Sequence, residues 1–185
     1  MDSVGVDRLV EEGLAQVTWL PFELHPDIPP EGISRDEYFG PNWRSRGDGV
    51  RVMAAELGLT MKTRDRLINT RKALATAEFG RENGKFEQVH RALFEAHWHG
   101  TAKLEEVADL TRIAAAQGLD ATELERALDE GRYEEVIDAN RREAMQVGIN
   151  AIPAHIFGMR YLVVGAHPYE LLKQVAEKVR DAQPT

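Results

Sequence analysis

The sequence predicts an α/β fold in which a C-terminal β-hairpin, flanked by helices, is preceded by a large all-helical insertion. Three observations predict it. First, Val147 to Tyr169 reads as a helix end at Gly148, then Ala151-Ile152-Pro153 leading into Ala154-His155-Ile156-Phe157. A two-residue Gly158-Met159 link follows, then Arg160-Tyr161-Leu162-Val163-Val164 and Gly165-Ala166-His167-Pro168-Tyr169. Two short apolar runs around a Gly-led link signal a tight hairpin, because positive φ is easiest at glycine. Second, Val17-Thr18-Trp19-Leu20 is rich in β-formers and continues as Pro21-Phe22-Glu23-Leu24. Third, residues 34–144 carry apolar positions at helical spacing, punctuated by glycines.

The elements follow in order. Val6, Leu9, Val10 and Leu14 mark a helix over Val4–Leu14. The Val17–Leu24 strand must be an edge or bulged at Pro21, which has no N–H for a ladder. Pro26, Pro29, Pro30 and Gly32 make a loop. Ser34 with Glu37 forms a capping box. Val50, Met53, Ala54 and Leu57 predict a helix that Gly58 ends. Thr70 caps a helix with Ala73, Leu74 and Ala77 inward, stopping near Gly84. Phe86, Val89, His90, Leu93, Phe94 and His97 form a stripe ending at Trp98-His99-Gly100. Thr101 opens a helix with Leu104, Val107 and Ala108 inside, ending at Gly118. Asp120 and Glu123 are a second capping pair, with Leu119 and Leu124 as a staple and Gly131 as the stop. Glu134–Val147 leads into the hairpin. The last helix starts near Pro168 and buries Leu171, Leu172, Val175 and Val179.

Composition narrows the function. The chain has 185 residues, 23 Lys plus Arg and 31 Asp plus Glu, for a net charge of −8. An acidic chain without basic patches argues against nucleic acid or anionic membrane as partner. There is no apolar run long enough to span a membrane, and Met1–Asp7 has neither the basic nor the apolar region of a secretory signal, so a cytoplasmic location is expected. Cysteine is absent, which leaves no disulfide, thiolate metal site or thiol nucleophile in these residues.

Three stretches together carry a resemblance: Trp19 through Gly32, Leu93-Phe94-Glu95-Ala96-His97-Trp98, and Val147 through Tyr169. With the element order, they make the chain resemble the DsbA-like thioredoxin family, and more narrowly the FrnE-type predicted dithiol-disulfide isomerases, over about residues 4–180. The resemblance implies a thioredoxin-like (DsbA-type) domain over 1–33 and 145–185, with a helical insertion domain over 34–144. It implies a cis Ile152–Pro153 bond, which local sequence alone would not, since cis X–Pro is a minority state. It also implies that the first strand and the Cys-x-x-Cys motif are missing, with Met1-Asp2-Ser3 standing near the end of that motif.

Two expectations follow. Thiol–disulfide exchange needs a thiolate, which the five Met thioethers cannot supply, so kinship is to oxidoreductases while this chain is redox-inactive. A missing central strand leaves a gap of about 9–10 Å and unpaired backbone groups on both sides. A second copy can cover the edge, the sheet can close up, or the natural protein can be longer; a homodimer is the expectation for the chain as written.

Site residues follow from the same resemblance. Ala151, Ile152 and Pro153 would pair through their backbone with an extended peptide or glutathione, against the alternative that Pro153 is purely structural. Phe94, His97 and Trp98 can line an apolar groove, although aromatics at this spacing usually belong to a core. No catalytic residue, metal ligand set or cofactor is expected. His90 and His97 stand seven apart, not at the four-residue spacing of a metal pair. His155 matters only for its place beside Pro153. Ser3 matches the serine of glutathione-dependent isomerases and kappa-class transferases only loosely, because theirs occupies an earlier motif position. The functions to weigh are thus a thioredoxin-fold relative without its dithiol, a non-catalytic peptide- or partner-binding module, and a glutathione-dependent isomerase or transferase relative.

Overall fold

The computed structural model describes residues 2–43, 48–56, 58–62 and 64–182, without the side chains of 48–50 and 53. Met1, Leu57 and the side chains of Val50 and Met53 lie outside that description. In chain order the elements are α1 (Asp2–Glu11), β1 (Ile33–Ser34), α2 (Arg35–Phe39), α3 (Asp48–Glu56), β2 (Arg66–Leu67), α4 (Arg71–Glu82) and α5 (Phe86–His99). They continue as α6 (Val107–Ala116), α7 (Ala121–Asp129), α8 (Glu134–Gln146), β3 (Ala154–Phe157), β4 (Tyr161–Val164) and α9 (Tyr169–Asp181). The chain divides into two compact units, Met1–Leu20 with Glu143–Thr185, and Pro21–Arg142. Among the described residues no helix is long and apolar enough to cross a membrane.

In the first unit β3 and β4 pair antiparallel, with His155 opposite Val163 and Phe157 opposite Tyr161. Three residues, not two, therefore link the strands. Gly158 (φ 54°) and Met159 (φ 56°) both take left-handed backbone, and Arg160 N–H closes the turn on Phe157 O at 3.0 Å. One face of the hairpin, with Phe157 and Val163, packs on Leu9 of α1 and on Leu172 and Ala176 of α9. That face is apolar by the period-two alternation of strands. On the other, Ile156, Leu162 and Val164 stay exposed.

A charged clasp joins α1 to α9. Glu12 accepts from Arg8 Nε at 2.9 Å and from Lys173 Nζ at 2.9 Å. The Tyr169 hydroxyl and then the Lys173 ammonium pull the Glu12 carboxyl down to about 2. A carboxylate held below its ordinary value of 4.5 adds stability above that pH and loses it as pH falls toward 2. Acid titration followed by circular dichroism should show unfolding in that window, and Glu12→Gln should remove this part of the pH dependence. An unchanged acid profile in the variant would refute the clasp.

Among the described residues of the second unit, the regular elements are helices apart from the β1–β2 pair, where Ile33 faces Leu67. Val89, Leu93, Leu104, Leu110 and Ile113 form one core with α4, and Phe79, Leu124, Ala127, Tyr133 and Ile137 form another. Burying each large apolar side chain is worth about 1.5–3 kcal/mol.

Several expectations differ from the structure. Residues 17–24 form no strand: the described sheets are β1–β2 and β3–β4, and β-propensity without a partner strand makes no ladder. The helix expected from Thr101 starts at Val107, after turns that bury Ala102 and Leu104. Ser34 and Thr70 sit at N-cap positions but make no side-chain cap bond; Asn69 Oδ1 instead accepts from Arg71 N–H at 3.0 Å. Asp120 does cap α7, accepting from Thr122 and Glu123 N–H. Val10 and Leu171 face solvent.

Candidate functional site

The sequence singles out two sets of residues, and they fall in different units: Ala151, Ile152 and Pro153 in the first, Phe94, His97 and Trp98 in the second.

The Pro153 loop is set up by the end of α8. Gly148 takes φ 86°, Ile149 N–H returns to Ala144 O at 2.9 Å, and the Ile149 side chain is buried. The chain then bends through Ala151 and Pro153, half-buried, with Ile152 51% exposed between them. The Ile152–Pro153 bond is cis. Pro153 O accepts from Gly165 N–H at 2.7 Å.

That last bond fixes which backbone groups of β3 are spoken for. Hydrogen-bonded pairs alternate along an antiparallel ladder. With Pro153 and Gly165 as one such pair, His155 and Phe157 also turn their N–H and C=O toward β4. The N–H and C=O of Ala154 and Ile156 therefore point to the opposite edge, where no described strand pairs with them. An open edge of this kind is a template for another extended segment.

His155 lies directly after this loop. Its Nε2 stands 2.9 Å from Asp2 Oδ2, at ion-pair distance but without hydrogen-bond alignment. Asp2 is in the first turn of α1, where a carboxylate meets the positive end of the helix dipole.

In the second unit α5 presents a ladder of rings. His90 stacks on Phe86 at 5.2 Å and leans on Phe94 at 4.6 Å, so it is an aromatic partner within this stripe. Phe94 is 49% and Trp98 37% exposed. His97 is different: burial first, then the charges of Arg64 and Arg35, push its pKa down to about 4, so its imidazole is neutral at pH 7. Among the described residues no group of three or more metal-ligating side chains stands together.

Sequence reasoning missed a buried ion-pair network in the second unit. Glu23, 3% exposed, accepts from Arg71 Nη1 at 2.8 Å; Arg71 also donates to Asp138 at 2.8 Å and to Glu134. Burial works against the Arg71 charge, and Asp138, Glu134 and Glu23 more than restore it, raising its pKa above the ordinary arginine value. Arg141 Nε donates to Glu23 O at 3.2 Å. The one legible hint was an acid inside the apolar run Phe22-Glu23-Leu24.

Comparison with known proteins fits this geometry. Residues 4–177 match the family described as the DSBA-like thioredoxin domain. A structure described as a probable DsbA oxidoreductase from Streptomyces coelicolor superposes with a TM-score of 0.85 at 24% identity, covering 98% of this chain and 86% of that one. At that identity the likeness speaks for the fold. The uncharacterized protein YwbO of Bacillus subtilis is 25% identical over 150 residues, 77% of this chain and 72% of its own.

Proposed function

The chain belongs to the DSBA-like thioredoxin domain family, and on that premise we propose that it is a non-catalytic member that holds an extended peptide segment along β3 and the Pro153 loop. The observation that carries this reading is the outward edge of β3, where the backbone groups of Ala154 and Ile156 have no strand to pair with among the described residues. Affinity would come from main-chain hydrogen bonds, and selectivity from the exposed apolar side chains of Ile152 and Ile156. No thiol stands in the 185 residues, so the family's thiol–disulfide chemistry has no nucleophile here.

The test uses carboxymethylated insulin B chain as an unfolded peptide probe, with binding read by fluorescence anisotropy. Ile156→Pro removes one outward N–H at an edge position, where proline is tolerated. The expected result is saturable binding that weakens about tenfold or more in the variant, a change of about 1.4 kcal/mol. Insulin reduction should stay at the blank rate with either protein. Turnover above blank, or equal peptide affinity in the variant, would reject this reading. A second copy of the chain is the competing occupant of the same edge, as would suit a FrnE-type homodimer. Sedimentation of the wild type and of Ile156→Pro separates the two, because only self-pairing through this edge makes the variant dissociate.

A further inference from the structure

The Pro21–Arg142 unit concentrates positive charge at one corner of an otherwise acidic chain. Arg35 N–H donates to Asp65 O at 2.8 Å, which sets Arg35 beside the segment that carries Arg64. Arg64 Nη2 reaches Ala102 O at 2.8 Å and His97 O at 3.4 Å, carbonyls at and just beyond the C-terminal end of α5. Lys62 N–H donates to Trp98 O at 2.8 Å, and its side chain lies over Gly100. Lys62 and Arg64 thus meet the end of α5, and Arg35 stands on the chain segment beside them.

Their charges are unequally answered. Arg64 is met by the helix-end carbonyls, where a cation is favoured by the dipole. Arg35 is not so well served. Its Nε is buried and has no hydrogen-bond partner among the described residues, and its guanidinium lies 5.1 Å from the centre of the Trp43 ring. Burial lowers the Arg35 pKa, and the Asp65 carboxylate acts against that. An arginine donor left buried and unpaired is costly, and a ligand that accepts from it is one way such a group is satisfied.

The fields of Arg35 and Arg64 meet at the His97 ring, which stays neutral and so offers one N–H donor and one acceptor. The Trp98 indole meets that ring edge-on at 4.8 Å and is 37% exposed. An open apolar surface therefore adjoins the cationic corner.

We propose that Arg35, Arg64 and His97, with Trp98 as a wall, form a binding site for a small organic acid, a carboxylate carried on an apolar body. The arginine fork matches a carboxylate in plane and charge, and the indole accepts the hydrocarbon. The site lies wholly within the second unit and does not depend on the peptide reading of β3.

The test titrates the protein with hexanoate, with its neutral isostere hexanamide, and with inorganic phosphate, using calorimetry and thermal shift. Hexanoate should bind with a dissociation constant of about 1 mM or tighter and raise the melting temperature. Hexanamide should not bind, and phosphate should bind about tenfold more weakly. Arg35→Met should lose the hexanoate response while its ligand-free melting temperature stays unchanged or rises, because a buried donor without a hydrogen-bond partner among the described residues has been removed. Trp98→Ala should weaken hexanoate and leave phosphate alone. Equal binding of acid and amide would overturn the proposal, as would phosphate matching hexanoate. A fall of several degrees in ligand-free Arg35→Met would do the same, by making Arg35 a purely structural cation.

Discussion

Arg71→Met should destabilise the protein by about 3–5 kcal/mol, the range found when one partner of a buried ion pair is removed. Glu23 is the reason. Its side chain is 3% exposed, and Arg71 Nη1 at 2.8 Å is its charge partner in the structure. Without that cation a buried carboxylate loses its ion-pair partner. The other two acids on Arg71 behave differently, since Glu134 is 49% and Asp138 44% exposed. Water can replace the arginine for them, so truncating either should cost only about 0.2–1 kcal/mol. Urea unfolding of the single variants, and of Arg71→Met combined with Glu23→Gln, separates these contributions. The double variant should recover much of the loss, because neutralising the acid removes the unpaired charge. A loss below about 1 kcal/mol in Arg71→Met would show that the interior tolerates Glu23 alone, contrary to the burial seen.

The second large effect is expected at Gly158. An alanine there would hold φ near 54°, which costs an L-residue about 1–2 kcal/mol. It would also place Cβ 2.4 Å from Val179 Cγ1 on α9. Valine is stiff at χ1 and cannot swing away, so relief must come from the hairpin or the helix, at about 1–3 kcal/mol. Gly158→Ala should therefore lower stability by about 2–5 kcal/mol in thermal or urea unfolding. Val179→Ala in the same chain should restore the steric share and leave the backbone share. If the double variant recovers nothing, the close approach of turn and helix is not what the substitution disturbs. Because this turn joins β3 to β4, Gly158→Ala should also weaken peptide binding in the assay described above.

How much of this was legible in the sequence follows from the range of each interaction. The hairpin could be read because its signals are local: Gly158 in the turn, apolar runs either side, Gly148 ending α8. Helix positions over 70–147 could be read from spacing, and Asp120 from its cap pattern. The strand expected over 17–24 failed because strand character needs a partner, and propensity is silent about partners. The helix start at Val107 was missed because Ala102 and Leu104 are buried by turns that happen to mimic helical spacing. Of the candidate residues, His97 could be picked from its stripe, but nothing in the stripe announced Arg35 or Arg64. Glu23 and Arg71 are 48 positions apart, and no periodicity relates residues so distant.

That distance bears on the order of events when the chain folds. Arg71 joins Glu23, Glu134 and Asp138 across separations of 48, 63 and 67 residues, and Arg141 returns to Glu23 across 118. Closing such loops costs entropy that local helical contacts do not, so this network should assemble after the rate-limiting barrier has been crossed. Its contribution would then fall on how slowly the native protein opens and hardly on how fast it forms. Glu23 would act as a late latch, one that sets the lifetime of the folded state.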